Sequence, residues 1–306
     1  MTRSTKLISA HRYCQHLAKS HYENFPVASI ILPKYLQQSI FVIYAFARTA
    51  DDIADEGSAT NADRMQALLE YEKQLNNIEQ GADLNQPPLF IALSDVIYSQ
   101  QLPIQLFHDL LTAFKQDISQ GRYQSDDDIL DYCRRSANPI GRLLLHLGGE
   151  KSMQQLQQSD ALCTALQLIN FYQDVKQDFY ENNRLYLSLK SLALIGITED
   201  NLDITNTSKI APLLRERYLF TNSLLMSAIN LGAEINGRMG WEIRTITLAG
   251  LLTLKNLSLQ NNNNLTSRPR LTKYNILMVA SLSFLTPVYR HTCLYMIKNI
   301  IKLNQL

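Results

Sequence analysis

Apolar residues recur along this chain at three- and four-residue steps. Leu36, Ile40, Ile43 and Ala47 form one such series; Leu162, Leu166 and Ile169 form another, with Val175 further along. That period gathers each series on one face of an α-helix, and no convincing run alternates with the period of two that a strand requires. Breakers interrupt the pattern at Gly57-Ser58, Gly81 to Pro88, Leu102-Pro103, Gly121, Asn138-Pro139, Gly148-Gly149, near Gly196, and from Asn261 to Pro269. The segments between them have the length of ordinary to long helices, so an all-α fold is expected. Asn138-Pro139 reads most simply as a kink, because proline removes a backbone donor. The Asn261 to Asn264 run and the "LTSRPR" after it read as a loop, since too little chain follows to fold alone. With no internal repeat at a fixed period, residues 1–306 are expected to form a single domain.

Composition narrows the function. The net charge is +1 over 306 residues, which argues against a nucleic-acid partner. Charge is nevertheless uneven: no Asp or Glu follows Glu242, whereas Arg244, Lys255, Arg268, Arg270, Lys273, Arg290, Lys298 and Lys302 do. Such a region is either a solvated basic surface or a peripheral contact for anionic lipid headgroups at the inner membrane face. The apolar run from Ile276 is broken by Arg290, His291 and Lys298 within the roughly 20 residues a membrane span needs, so it reads as a buried or interfacial helix. No apolar signal segment is visible at the start. The four cysteines show no paired CxxC spacing, which fits buried thiols in a reducing cytoplasm.

Two polar stripes carry the chemistry. In "YAFARTADDIAD", Tyr44, Arg48, Asp51 and Asp55 fall at steps of four, three and four, with Asp52 beside them. Carboxylates one turn apart, roughly 6 Å, repel by about 3 kcal/mol at an effective dielectric near 20. A cation must offset that repulsion unless the face is fully solvated. In "LQLINFYQDVKQDFYENNRLYL", Gln167, Asn170, Asp174 and Asp178 make a second stripe, flanked by Leu166, Ile169, Phe171 and Val175. Those flanks would pack a core, so the stripe is expected to face an interior cavity. Its carboxylates then need partners. Oxygen donors without His or Cys suit Mg2+ or Mn2+ and not zinc. Mg2+ commonly bridges carboxylates to phosphate, which implies a phosphorylated ligand, with Arg48, Arg184 and Tyr186 completing the anion site. The chain has no Glu-x-x-His of a di-iron bundle and no glycine-rich nucleotide loop.

These motifs, with "YCRRSANPIGRLLL" at Tyr132 to Leu145 between them, resemble the squalene/phytoene synthase family of head-to-head prenyl transferases. The resemblance runs from about His21 to the "RPRL" at Arg268 to Leu271. "HYENFPVAS", "YAFARTADDIADE" and "RRSANPIGRLLL" look most like its bacterial hydroxysqualene synthases. It implies a single-domain isoprenoid synthase helical bundle around a central active-site cavity. Asp51, Asp52, Asp55, Asn170, Asp174 and Asp178 would hold Mg2+ against a diphosphate. Tyr44, Arg48, Gln167, Arg184 and Tyr186, with His21, would bind the substrate, and Tyr132 would meet the reacting carbon. It also implies functional coupling to other enzymes of squalene biosynthesis.

One departure bears on the substrate. Where better-known members have a His-Ser-Lys-Ser-Phe-like stretch, this chain has His21-Tyr22-Glu23-Asn24-Phe25, so Glu23 replaces an anion-binding lysine. That fits a single-diphosphate substrate, presqualene diphosphate, captured by water that Glu23 or Asn24 orients, with no NADPH expected. The alternatives are a sister synthase condensing two prenyl diphosphates to presqualene diphosphate, squalene or a phytoene-type product, and a non-catalytic helical relative.

Overall fold

The structure is a computed structural model that describes residues 3–20, 34–81, 86–150, 152–198, 207–260 and 268–305. His21, Glu23 and Asn24 lie outside these residues. The elements in chain order are α1 (Arg3–Ser20), α2 (Lys34–Asp55), α3 (Asn61–Glu79), α4 (Pro88–Gln100), α5 (Gln105–Ser119), α6 (Asp126–Ser136), α7 (Asn138–Gly148), α8 (Met153–Glu181), α9 (Leu189–Leu194), α10 (Thr207–Glu234), α11 (Gly237–Leu259), α12 (Lys273–Phe284) and α13 (Thr286–Gln305). No strand forms among the described residues; Arg122 and Leu185 share an isolated bridge.

Local chemistry sets several of the helix starts. Thr60 with Asp63, Ser125 with Asp128, Ser152 with Gln155 and Thr272 with Asn275 each form a reciprocal capping box that satisfies backbone donors at the first turn. Pro139 proves to mark a helix boundary and not a kink within one helix. Ala137 closes α6 with its amide on the Cys133 carbonyl, and Pro139 sits in the first turn of α7, where a missing N–H costs nothing. Three further breaks lie outside those expected from the sequence: the segment between Asn182 and Ser188, the Ile235-Asn236 step, and Leu285. The last splits the expected C-terminal helix in two. Pro287 cannot donate to the Ser283 carbonyl, and Leu285 turns extended (φ −96°, ψ 120°).

Chain contacts divide the molecule into two units. Met1–Ser119 with Pro139–Lys151 form the first, and Gln120–Asn138 with Ser152–Leu306 the second. In the first unit α2 packs against α1, α3, α4 and α5. Its core centres on Phe46, whose ring meets Tyr71 at 5.2 Å and the edges of Phe90 and Phe107 at 6.4 and 5.2 Å. Tyr71 also donates its hydroxyl to the Phe46 carbonyl at 3.1 Å. In the second unit α10 packs on α8, α11 and α13, and α11 on α8, α12 and α13. Arg244, only 7% exposed, donates to the carbonyls of Gly232 (2.7 Å), Ser283 (2.6 Å) and Phe284 (3.4 Å). One guanidinium therefore satisfies the open carbonyl ends of both α10 and α12. It belongs to the interior and not to a basic surface.

Candidate active site

Burial of one face of α2 dictates where its polar stripe points. Ile43, Phe46, Ala50 and Ala54 are buried in the core of the first unit, and at 100° per residue Tyr44, Arg48, Asp51 and Asp55 fall on the opposite side. Arg48 is the organising cation. Its Nη1 reaches Asp51 Oδ2 at 3.2 Å, and its Nη2 reaches Asp52 Oδ1 at 2.6 Å and also meets Glu56 Oε1. Burial alone would lower the Arg48 pKa, but Asp52, Asp51 and Glu56 together raise it. Burial raises the Tyr44 hydroxyl, with Arg48 opposing and the two aspartates reinforcing. Asp55, at the end of the stripe, is exposed.

The second stripe lies on α8 in the second unit, opposite buried Ala165, Leu168, Tyr172 and Val175. Asn170 is exposed and Gln167, Asp174 and Asp178 are half-buried, so the polar atoms of the stripe stay open to water or a ligand. The flank is shallower than expected, since Leu166 is itself half-buried. Arg268 covers one side of the stripe: its Nε lies 2.5 Å from Asp174 Oδ1 and its Nη2 donates to Oδ2 at 2.8 Å. Gln173 anchors the same arm by donating to the Pro269 carbonyl at 2.5 Å. Desolvation raises the Asp174 pKa against the pull of Arg268 and Arg270. Asp178 is pushed up to about 6, chiefly by desolvation; the Asn182 amide lowers it, and Asp174 one turn away adds to the rise. Arg268 was not singled out from the sequence, and the "RPRL" motif was the only signal for it.

Arg184 and Tyr186 follow α8 on a segment that is not helical, and residues some 60 positions earlier hold it. The amides of Leu185, Leu189 and Lys190 donate to the carbonyls of Gly121, Tyr123 and Gln124 at 2.9, 2.9 and 3.1 Å. Arg122 fastens the turn, its Nη1 on the Asn183 carbonyl (2.6 Å) and its Nη2 on the Asn183 side chain (2.9 Å). Gly121 is required here because a Cβ would stand 2.4 Å from the Asn183 carbonyl oxygen. On the far side, Asp126 accepts from Ser188 (2.8 Å) and Ser191 (3.0 Å) and pairs with Arg217 at 2.6 Å. Tyr186 thereby stacks on Phe171 at 3.6 Å with 4° between the planes, and Tyr132 lies 5.7 Å from Tyr186 and 6.0 Å from Phe171. The result is an aromatic nest beside the α8 stripe. Tyr132 and Tyr186 are both buried.

Among the described residues no three His, Cys, Asp or Glu side chains converge closely enough to hold an ion unaided. Each helix offers a few oxygen donors one turn apart, some of them desolvated. That is the partial set a hard cation takes when water and phosphate fill its remaining positions. The donor chemistry of both stripes therefore fits Mg2+ held jointly with a phosphorylated ligand.

The squalene/phytoene synthase family model matches residues 18–275. The chain is 35% identical over 228 residues to the hydroxysqualene synthase of Zymomonas mobilis, covering 73% of this chain and 75% of that one. It is 36% identical over 226 residues to the hydroxysqualene synthase of Rhodopseudomonas palustris, with the same coverage. The phytoene synthase of Mycobacterium tuberculosis is 30% identical over 193 residues, 63% of this chain and 62% of that one. Among solved structures, a squalene synthase from Alicyclobacillus acidocaldarius superposes with a TM-score of 0.74 at 32% identity, over 84% of this chain and 96% of that chain. A dehydrosqualene synthase in complex with ligand shares the fold with a TM-score of 0.75 at 23% identity, over 91% and 96%.

Proposed function

The chain belongs to the squalene/phytoene synthase family of prenyl diphosphate-processing enzymes, and from that premise we propose that it is a hydroxysqualene synthase, converting presqualene diphosphate and water to hydroxysqualene and diphosphate. The observation that carries the reading is the likeness to hydroxysqualene synthases at 35 and 36% identity, together with two oxygen-donor stripes on α2 and α8. Asp51 and Asp55, with Asp52 adjoining, and Asn170, Asp174 and Asp178 would hold Mg2+, which supplies the positive charge that stabilises a departing diphosphate. Arg48, Tyr44, Gln167, Arg184 and Tyr186 bind and orient that anion through charge-assisted hydrogen bonds. The nest of Tyr132, Phe171 and Tyr186 presents π faces to the cationic carbon skeleton and keeps water away until the rearrangement is complete. Glu23 or Asn24 then orients the water that captures the final cation. The oxygen of that water forms the new carbon–oxygen bond, and its proton leaves with the diphosphate.

A second reading, condensation of two prenyl diphosphates, has the 30% identity to a phytoene synthase in its favour. Product analysis with Mg2+, offering presqualene diphosphate or farnesyl diphosphate separately and without NADPH, decides between them. Hydroxysqualene from presqualene diphosphate alone supports the first reading. Presqualene diphosphate or a phytoene-type product from the condensing substrate overturns it. A Glu23→Lys variant that still released only hydroxysqualene would remove Glu23 from the water-orienting role.

A further inference from the structure

The two C-terminal helices leave a broad apolar face uncovered. Tyr274, Leu277 and Phe284 on α12 are 75%, 69% and 64% exposed, Leu285 at the corner is 59% exposed, and Leu294 and Tyr295 on α13 are 50% and 61% exposed. These are large side chains, and they sit on two helices that pack on one another. Tyr274, Leu277, Ser281 and Phe284 fall on one stripe of α12, while Val279 and Ser283 on its other side are buried. Scattered apolar residues need no explanation, but a contiguous patch of this kind marks an interaction surface.

Charge identifies the occupant. Lys273, Arg290, Lys298 and Lys302 are exposed on the same two helices. No carboxylate side chain follows Glu242 in the sequence, so neither helix carries an acidic residue that would repel an anion. Large apolar and aromatic side chains interleaved with lysine and arginine on a helix face are the pattern of an interfacial helix, which lies in the headgroup layer. Among the described residues no helix is long and apolar enough to cross a membrane. We propose that the outer face of α12 and α13 seats the protein on an anionic lipid surface, with Tyr274, Leu277, Phe284, Leu294 and Tyr295 entering the headgroup region while the cations meet lipid phosphates. Neither acidic stripe takes part, so this surface is independent of the activity proposed above.

The test is co-sedimentation of the full chain with phosphatidylcholine vesicles, with and without phosphatidylglycerol, at low and high salt. Binding is expected only with phosphatidylglycerol and is expected to weaken as salt screens the cations. Leu277→Glu/Tyr295→Glu and, separately, Lys298→Glu/Lys302→Glu should each lower the partition coefficient at least about tenfold. Melting temperature and helix content should stay unchanged, because all four side chains are exposed. Equal binding to pure phosphatidylcholine, no binding to either vesicle, or binding by both variants like that of the parent chain overturns the proposal. So does light scattering that finds a dimer made monomeric by Leu277→Glu/Tyr295→Glu in a chain that ignores vesicles; the face would then join two copies.

Discussion

Glu242 is a carboxyl that the fold holds at a cost, and replacing it by glutamine measures that cost. The side chain is 4% exposed on α11, and among the described residues its Oε2 has no hydrogen-bond partner. Burial pushes its pKa from 4.5 up to about 8. Between those two values the folded chain keeps a proton that the unfolded chain has released, so stability falls as pH rises through the window. Each pH unit removes about 1.4 kcal/mol in the middle of the window and less towards its ends, which makes the loss from pH 5 to pH 8 about 3.5 kcal/mol. Below the unfolded value both states are protonated and the penalty vanishes. Glu242→Gln keeps the shape and cannot ionise. Its stability should therefore exceed that of the parent by only about 1 kcal/mol at pH 5 and by about 4 kcal/mol at pH 8. The assay is urea unfolding of both proteins at the two pH values, followed by the fluorescence of Trp241, the chain's one tryptophan and the adjacent residue. Taking the difference between the proteins cancels every other titrating group. A gap of the same size at both pH values would refute the reasoning, because a packing effect of the substitution carries no pH dependence.

Other perturbations separate the site from its supports. Gly121→Ala should destabilise the second unit by about 1–3 kcal/mol, since its Cβ meets a backbone carbonyl that cannot step aside; substrate KM should rise with it, because Arg184 and Tyr186 ride on the displaced segment, and thermal melts with steady-state kinetics read both effects. Asp174→Asn should cut product formation about a hundredfold or more while changing the melting temperature little, which gas chromatography of the lipid product and a thermal melt would check. Chelating divalent cations should stop turnover, and added Mg2+ should restore it; full activity in excess chelator would remove the metal from the proposed mechanism. Thr60→Ala should cost about 1 kcal/mol through loss of the α3 cap and leave kcat unchanged.

The helices were legible because their period and their punctuation are local. The apolar series on α2 and α8 and breakers such as Gly121 and Gly148-Gly149 act within a few positions of themselves, so a chain read in short windows reveals them. Both polar stripes were legible for the same reason. What was not legible depends on partners far along the chain. The segment carrying Arg184 and Tyr186 takes its shape from backbone bonds to residues 121 to 124, and nothing in its own sequence states this. Arg268 meets Asp174 across 94 positions, and Arg244 reads as one more surface cation until its three carbonyl partners are in view.

The attachment of α12 has a consequence for how the molecule breathes. Three of its last carbonyls accept from α11 side chains: Ala280 from the Trp241 indole, and Ser283 and Phe284 from Arg244. The Ser283 hydroxyl also meets that of Thr245. These fasteners crowd the C-terminal end of the helix, whereas Tyr274 and Leu277 near its start lie in solvent. The helix should therefore open like a page bound along one edge, with amide hydrogens of the first turns exchanging quickly. Those of the last turns should exchange only when the Arg244 hinge releases, at a rate close to that of α11 itself.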